Sequence, residues 1–292
     1  MRLLLTGGTG FVGTALFQKA AAAGHTVAGL IRPGSPVPAG LEPLYGTLAE
    51  PPWAAIERFQ PDVLVHCAWI STPGVYLDSP ENENHAVWGR SLVNGLFSRG
   101  LRRFVVLGTC IEYGMGGGRL DEASSPVAPS TPYARSKDQL RRWIGGDLAC
   151  TDAALGWARV FYPYGTGEHP ARLCSSLIRK LRQGEEVFLK TPHSTKDYIH
   201  IDDLADAILR VAEAGFHGPI NLGTGDGVEV KAIADKIAEI LGRPDLIRVP
   251  EAPQKDPLDF VVADAGRIRG LGWRPKVGLE SGLRRLIEHS AT

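Results

Sequence analysis

The chain lacks an excess of either charge: over its 292 residues, 32 basic side chains balance 32 acidic ones. No net field draws it toward nucleic acid or an anionic membrane, so partners are expected among small molecules and further copies of itself. Cysteine is scarce. Cys67, Cys110, Cys150 and Cys174 form no C-x-x-C pair and no Cys/His cluster at ligand spacing, which argues against a disulfide framework and against a metal site. Long apolar runs are missing too. No window approaches the roughly 18 unbroken apolar residues of a membrane helix. The opening MRLLLTGGTG has three consecutive leucines before its glycines, too few for the apolar stretch of a signal peptide. With no repeats or low-complexity segments, the composition predicts a soluble, cytoplasmic protein with reduced thiols.

What the sequence does contain is alternation. Arg2 to Leu5, Val27 to Ile31, Val63 to His66 and Phe104 to Leu107 are short apolar runs of buried-strand character. Between them, Val12 to Gly24, Trp53 to Phe59 and His85 to Arg99 carry helical patterns. Such alternation predicts an α/β fold, a Rossmann-type doubly wound parallel sheet with helices on both faces. Ligands of these sheets bind at the carboxyl ends of the strands. After a further strand at Trp157 to Phe161 the pattern loosens. Helices are expected over Pro170 to Gln183, from Asp202, and over Val230 to Leu241, with strands at Glu186 to Leu189 and Pro219 to Leu222. Arg248 to Asp264, with Pro250, Pro253 and Pro257, reads as irregular. The expected division is a nucleotide-binding domain over 1–162, to which a segment near 195–225 returns, and a smaller substrate-binding lobe over most of 163–292.

TGGTGFVG, Thr6 to Gly13, lies between the first strand and the first helix, with Gly7, Gly10 and Gly13 in G-x-x-G-x-x-G spacing. Glycines there allow a tight turn, close approach of backbone N–H groups to a pyrophosphate, and close packing of helix on sheet. Gly7, Thr9, Gly10, Phe11, Val12 and Gly13 are the expected phosphate cradle of a dinucleotide. The end of the second strand selects which one. An acid there bonds the ribose hydroxyls of NAD, whereas an arginine accommodates a 2′-phosphate. Here the strand runs into Arg32 with no acid nearby, so NADP(H) is the expected cofactor and NAD(H) the alternative.

TPYARSKD, Thr131 to Asp138, opens a helix at Pro132 and puts Tyr133 and Lys137 at i and i+4 on one face. A phenol of pKa about 10 is a poor base at neutral pH. A neighbouring ammonium and a positive nicotinamide ring would both stabilise the phenolate and bring it toward the working range. The phenol could then give a proton to a carbonyl as hydride arrives, or take one from an alcohol as hydride leaves.

Taken in order, the glycine loop at Gly7, the strand ending in GTCIEYG at Thr109, and the Tyr133–Lys137 helix resemble the extended short-chain dehydrogenase/reductase family. Within it they resemble the nucleotide-sugar epimerases, dehydratases and reductases. The resemblance covers nearly the whole chain. His66-Cys67-Ala68-Trp69 is similar to the family's H-x-A-x segment, and RVFYPYG (Arg159 to Gly165) to R-x-x-N-x-Y-G, with Tyr162 in place of asparagine. KDYIHIDD (Lys196 to Asp203) is similar to R-D-[FY]-I-x-V-x-D, with Lys196 in place of arginine. The resemblance implies that Thr109, Tyr133 and Lys137 are catalytic and that Cys67, Ala68 and Tyr162 border the cofactor. It implies that Trp69, Thr109, Tyr113, Tyr162 and Lys196 contact a sugar-nucleotide substrate. Lys196 keeps the charge that meets the diphosphate but loses the two-pronged geometry of arginine. A homodimer is implied too, built on the helix at His85 to Arg99 and the one after Tyr133.

The family's 4,6-dehydratases carry an acid and a base in the two positions after the threonine. Here those are Cys110 and Ile111, a pair unable to eliminate water. Glu112 comes one residue late, and in extended chain that shift turns a side chain to the other face. It is expected to be a solvated or lobe-bridging carboxylate. Epimerases and ketoreductases remain. Arg32 favours a reductase that consumes NADPH, and HCAWISTPGVYLDSP and GTCIEYG look like segments of reductases acting on 4-keto-6-deoxy sugar nucleotides. The sequence reading is NADPH-dependent reduction of a nucleoside-diphosphate-4-keto-6-deoxyhexose in deoxysugar biosynthesis, with an NAD-dependent sugar-nucleotide 4-epimerase as the alternative.

Overall fold

A computed structural model describes residues 1–114 and 116–290. Each apolar run of the first half becomes a strand. Strands β1 (Arg2–Thr6), β2 (Thr26–Ile31), β3 (Glu42–Tyr45), β4 (Val63–His66) and β5 (Arg103–Thr109) are interleaved with helices α1 (Phe11–Ala22), α2 (Trp53–Phe59) and α3 (Glu81–Ser98). There follow β6 (Gly118–Leu120), α4 (Pro132–Asp147), β7 (Ala154–Val160), β8 (Tyr162–Tyr164), α5 (Leu173–Arg182), β9 (Val187–Phe188), β10 (Thr195–Lys196) and β11 (Tyr198–His200). The last part comprises α6 (Ile201–Ala214), β12 (Gly218–Leu222), β13 (Val228–Glu229), α7 (Val230–Ile240), β14 (Ile247–Arg248), β15 (Phe260–Ala263), α8 (Gly266–Gly270) and α9 (Leu279–His289).

Seven strands pair in parallel in the order β12-β7-β5-β4-β1-β2-β3. This is the doubly wound sheet expected from the alternation. Successive residues of β1 serve opposite faces. Leu3 and Leu5 join Leu16, Phe17, Ala20, Ile208 and Val211 of α1 and α6, while Leu4 joins Ile56, Leu92, Leu140 and Ile144 of α2, α3 and α4. Burial on both faces is why the strand reads as an unbroken apolar run. The strand order reverses beside β1, where β2 lies on one side and β4 on the other, and a crevice opens there at the carboxyl ends.

A second sheet, β13-β10-β15-β6, lies outside the first. Its strand β15 falls in the stretch read as irregular. Prolines precede it and it has four residues, yet Val261, Val262 and Ala263 are buried and register with Gly118, Arg119 and Leu120. Strand β3 also escaped the apolar pattern, because it is short and contains Pro43. It sits at the sheet edge, where a residue without an N–H is tolerated. The chain crosses between layers more than once: β6 leaves the N-terminal half for the second sheet, whereas β12 returns to the first. Leu177, Leu181, Ile233, Ile237, Leu283 and Leu286 form a separate core among α5, α7 and α9. Among the described residues no helix is long and apolar enough to cross a membrane, and no His/Cys/Asp/Glu cluster could hold a metal ion.

Candidate active site

Strand β1 delivers the chain at Thr6 into the glycine turn. Gly7 has φ +72°, a left-handed conformation that residues with a side chain avoid. A Cβ on Gly13 would lie 2.0 Å from Gly7 O, and one on Gly7 would lie 2.8 Å from Ala68 N. Helix α1 therefore starts flush against the turn, with Gly10 N donating to Gly7 O at 3.0 Å. No side chain caps α1, so its first N–H groups and the positive end of its dipole remain available to an anion. An uncapped helix start packed directly behind a tight glycine turn at the cleft fits a dinucleotide pyrophosphate. Thr6 Oγ1 lies 2.7 Å from His66 Nδ1 and accepts from Ala68 N at 3.2 Å, tying β1 to the end of β4. Burial, with the Lys137 charge adding to it, pulls His66 down to about 3.

The turn opens into one continuous cleft of about 910 Å³. Gly7, Thr9, Gly10, Phe11, Val12, Gly13, Arg32, Cys67, Ala68, Trp69, Thr109, Tyr133, Lys137 and Tyr162 all line it. Arg32 does so from an exposed position just past β2.

At the start of α4, Thr131 Oγ1 accepts from Ala134 N at 3.2 Å and Tyr133 N donates to Leu77 O at 3.0 Å. Tyr133 thus sits in the first turn and Lys137 one turn later. Lys137 Nζ donates to Leu107 O on β5 at 2.6 Å, and lies 3.9 Å from the Trp69 ring centroid and 5.9 Å from that of Tyr133. The Tyr133 ring meets Tyr76 edge-on at 4.9 Å and Trp69 at 6.3 Å. Thr109, at the end of β5, lines the same cleft and eases the Tyr133 phenol slightly downward. The electrostatics depart from the expectation of a lowered phenol. Burial, then Tyr76, Glu112 and Cys110, hold Tyr133 above the usual phenol range, offset in part by Thr109. Burial also brings Lys137 down to about 7, against the pull of Glu112 and Cys67. The protein's own groups therefore favour the protonated, donating phenol.

Glu112 departs furthest from the sequence reading. It is wholly buried, because Cys110–Tyr113 winds into a 3₁₀ turn, where strand alternation does not apply. Its carboxylate accepts from Thr109 N at 2.8 Å, Trp157 Nε1 at 2.9 Å and Arg159 Nε at 2.9 Å. Tyr113 turns the same way: its hydroxyl donates to Asn221 Oδ1 at 2.7 Å and accepts from Arg159 Nη1 at 3.0 Å. It lies outside the cleft lining, contrary to its expected place beside the sugar. Lys196 lies outside as well. In β10 its ammonium pairs with Asp256 at 2.9 Å and donates to Leu258 O, so its charge is already matched. Cys110 is buried, and that burial pushes its thiol up to about 12.

Among the cleft residues that escaped the sequence reading, three stand beside the expected site. Tyr76 packs on Tyr133; His85 stacks on Trp69 at 5.3 Å and is lowered to about 4, chiefly by burial; Arg172 stands over Phe11 at 5.8 Å. The density of aromatic residues from Trp69 to Trp88 was the available signal. It becomes informative once α3 and the loop before it are known to wall the cleft.

Residues 3–223 match the sequence profile of the NAD dependent epimerase/dehydratase family. A UDP-glucose 4-epimerase of Streptomyces lividans is 30% identical, covering 94% of this chain and 91% of its own. One of Corynebacterium glutamicum is 27% identical, covering 99% and 94%. Among solved structures, the UDP-glucose 4-epimerase of Thermus thermophilus, a complex with NAD, has a TM-score of 0.86 at 26% identity over 100% of this chain and 99% of that one.

Proposed function

The chain belongs to the NAD-dependent epimerase/dehydratase family, within the extended short-chain dehydrogenases/reductases, and from that premise we propose that it is an NAD-dependent sugar-nucleotide 4-epimerase. The supporting observation is a single proton-handling set, Thr109, Tyr133 and Lys137, in a chain similar over nearly its whole length to UDP-glucose 4-epimerases. Elimination of water would need a further acid and base beside Thr109. Cys110 is a buried, protonated thiol, and the Glu112 carboxylate is occupied behind the strand by Thr109, Trp157 and Arg159. One set suffices where a hydrogen is removed from, and restored to, a single carbon.

The nicotinamide group, when bound, supplies hydride acceptance and return. The glycine turn and α1 N-terminus hold the pyrophosphate. The Thr109 hydroxyl orients the oxygen on carbon 4 of the sugar, and Tyr133, protonated by its own surroundings, would act as base only once the positive charge of the bound nicotinamide adds to that of Lys137, taking that oxygen's proton and later giving it back. Lys137, pinned to Leu107 O, places positive charge beside the phenol when it becomes phenolate. The same reading takes a second copy of the chain against α3 and α4, where Val87 is exposed; sedimentation should then give twice the chain mass.

Arg32 at the cleft favours a second reading, NADPH-dependent reduction of a 4-keto-6-deoxyhexose nucleotide. Two incubations separate them. The epimerase should convert UDP-glucose to UDP-galactose with catalytic NAD and no net cofactor loss. Stoichiometric NADPH oxidation on a 4-keto-6-deoxy sugar nucleotide, without hexose epimerisation, would replace it with the reductase. In either case Tyr133→Phe should lower turnover by at least about 100-fold with cofactor affinity unchanged in a fluorescence titration. Retained turnover would remove Tyr133 from the assignment.

A further inference from the structure

A buried ammonium is costly unless something stabilises its charge. Lys137 is 2% exposed, and among the described residues no carboxylate forms an ion pair with it. Its near partners are Leu107 O at 2.6 Å and the face of Trp69 at 3.9 Å. The indole is itself fixed in place. Trp69 Nε1 donates to Asn82 Oδ1 at 2.7 Å, and the fully buried Asn82 donates through Nδ2 to Tyr76 O at 2.7 Å and Ser79 O at 2.8 Å. The titratable groups facing Lys137 come from several elements: His66 and Cys67 at the end of β4, His85 on α3, Glu112 after β5, and Tyr133 on α4. Burial keeps both histidines, the thiol and the phenol uncharged at neutral pH. The Glu112 charge is shared with Arg159.

We propose that Trp69 is a positioning residue for Lys137: anchored by Asn82, its ring face holds the ammonium charged and pressed onto Leu107 O where the cleft supplies no paired carboxylate. A cation over a desolvated indole is attracted by the ring's negative face, strongly enough to move a pKa by about one unit or more. The catalytic meaning of this contact rests on the Tyr133–Lys137 assignment, whereas the contact itself does not.

The test is competitive acylation of Lys137 in the intact protein as a function of pH, read by mass spectrometry of its peptide, with exposed Lys255 as the internal reference. The neutral amine is the form that reacts. Trp69→Leu should lower the Lys137 midpoint by about one pH unit, and Trp69→Phe, which keeps a ring face, should recover most of that shift. A Trp69→Leu midpoint equal to the wild type, or no recovery by phenylalanine, overturns the proposal. Should Trp69→Leu fail to fold, Trp69→Met, unbranched and better able to fill an irregular gap, makes the same comparison. Labelling needs no substrate, so a wrong reaction class would leave this result standing. With an active substrate, a KM increase and no change in the pH profile would make Trp69 a substrate wall instead.

Discussion

Glu112 acts on the cleft without reaching it. Its carboxylate fixes Thr109 N at the end of β5 and neutralises Arg159 inside the protein. A Cβ on Gly108 would come within 2.5 Å of Glu112 Oε1 and 2.3 Å of Trp157 Nε1, so the glycine before Thr109 makes room for this network. Breaking a buried pair strands the remaining charge, at a cost of about 3–5 kcal/mol. Glu112→Ala should lose stability on that scale in urea denaturation, while Glu112→Leu combined with Arg159→Met should recover only the part due to the stranded charge, since Thr109 N and Trp157 Nε1 still lack their acceptor. A loss below about 1 kcal/mol for the single variant would mean that the pair is hydrated in solution. The shared cleft position of Thr109, Tyr133 and Lys137 was legible in the sequence because these residues sit at short, recurrent spacings. The direction of Glu112 was not, because it depends on whether the backbone stays extended or winds into a 3₁₀ turn.

Helix α1 and the glycine turn behave as one element, and their fit is set by distances that admit no extra carbon. Gly13 and Gly10 make the contrast testable. A Cβ on Gly13 would meet Gly7 O at 2.0 Å, whereas one on Gly10 would meet the same oxygen at 3.4 Å. Gly13→Ala should force the helix off the turn and weaken dinucleotide binding at least about tenfold, with Gly10→Ala affected less. Calorimetric titration checks both, and equal affinities would show that the turn is compliant. Strands β1, β2, β4 and β5 announced themselves because the parallel sheet buries both of their faces. By contrast, β3 and β15 have four residues each and adjoin or contain proline, so their pairing partners rather than their composition make them strands.

The layers of the molecule are joined through Asp197, which is fully buried. It accepts from Thr224 N, Thr224 Oγ1, Gly225 N and Ala263 N, while its own carbonyl accepts from Tyr162 N. One residue thereby links the chain after β12 of the main sheet to β15 of the second through its carboxylate, and to a cleft-lining tyrosine through its backbone carbonyl. Asp197→Ala should cost about 3 kcal/mol or more, since several buried donors lose their acceptor. It should raise KM for the sugar nucleotide more than it weakens cofactor binding; equal effects on both would show that the two layers do not act separately. The sequence by itself determined the parallel α/β core, the glycine turn and the Tyr133–Lys137 face, because each is written in residues within a few positions of one another. Only the tertiary structure decided that Glu112, Tyr113 and Lys196 turn away from the cleft and that Tyr76 and His85 wall it. Their partners, Trp157, Arg159, Asn221, Asp256 and Tyr133, lie far off along the chain, and contacts at such separations leave no periodic trace in the sequence.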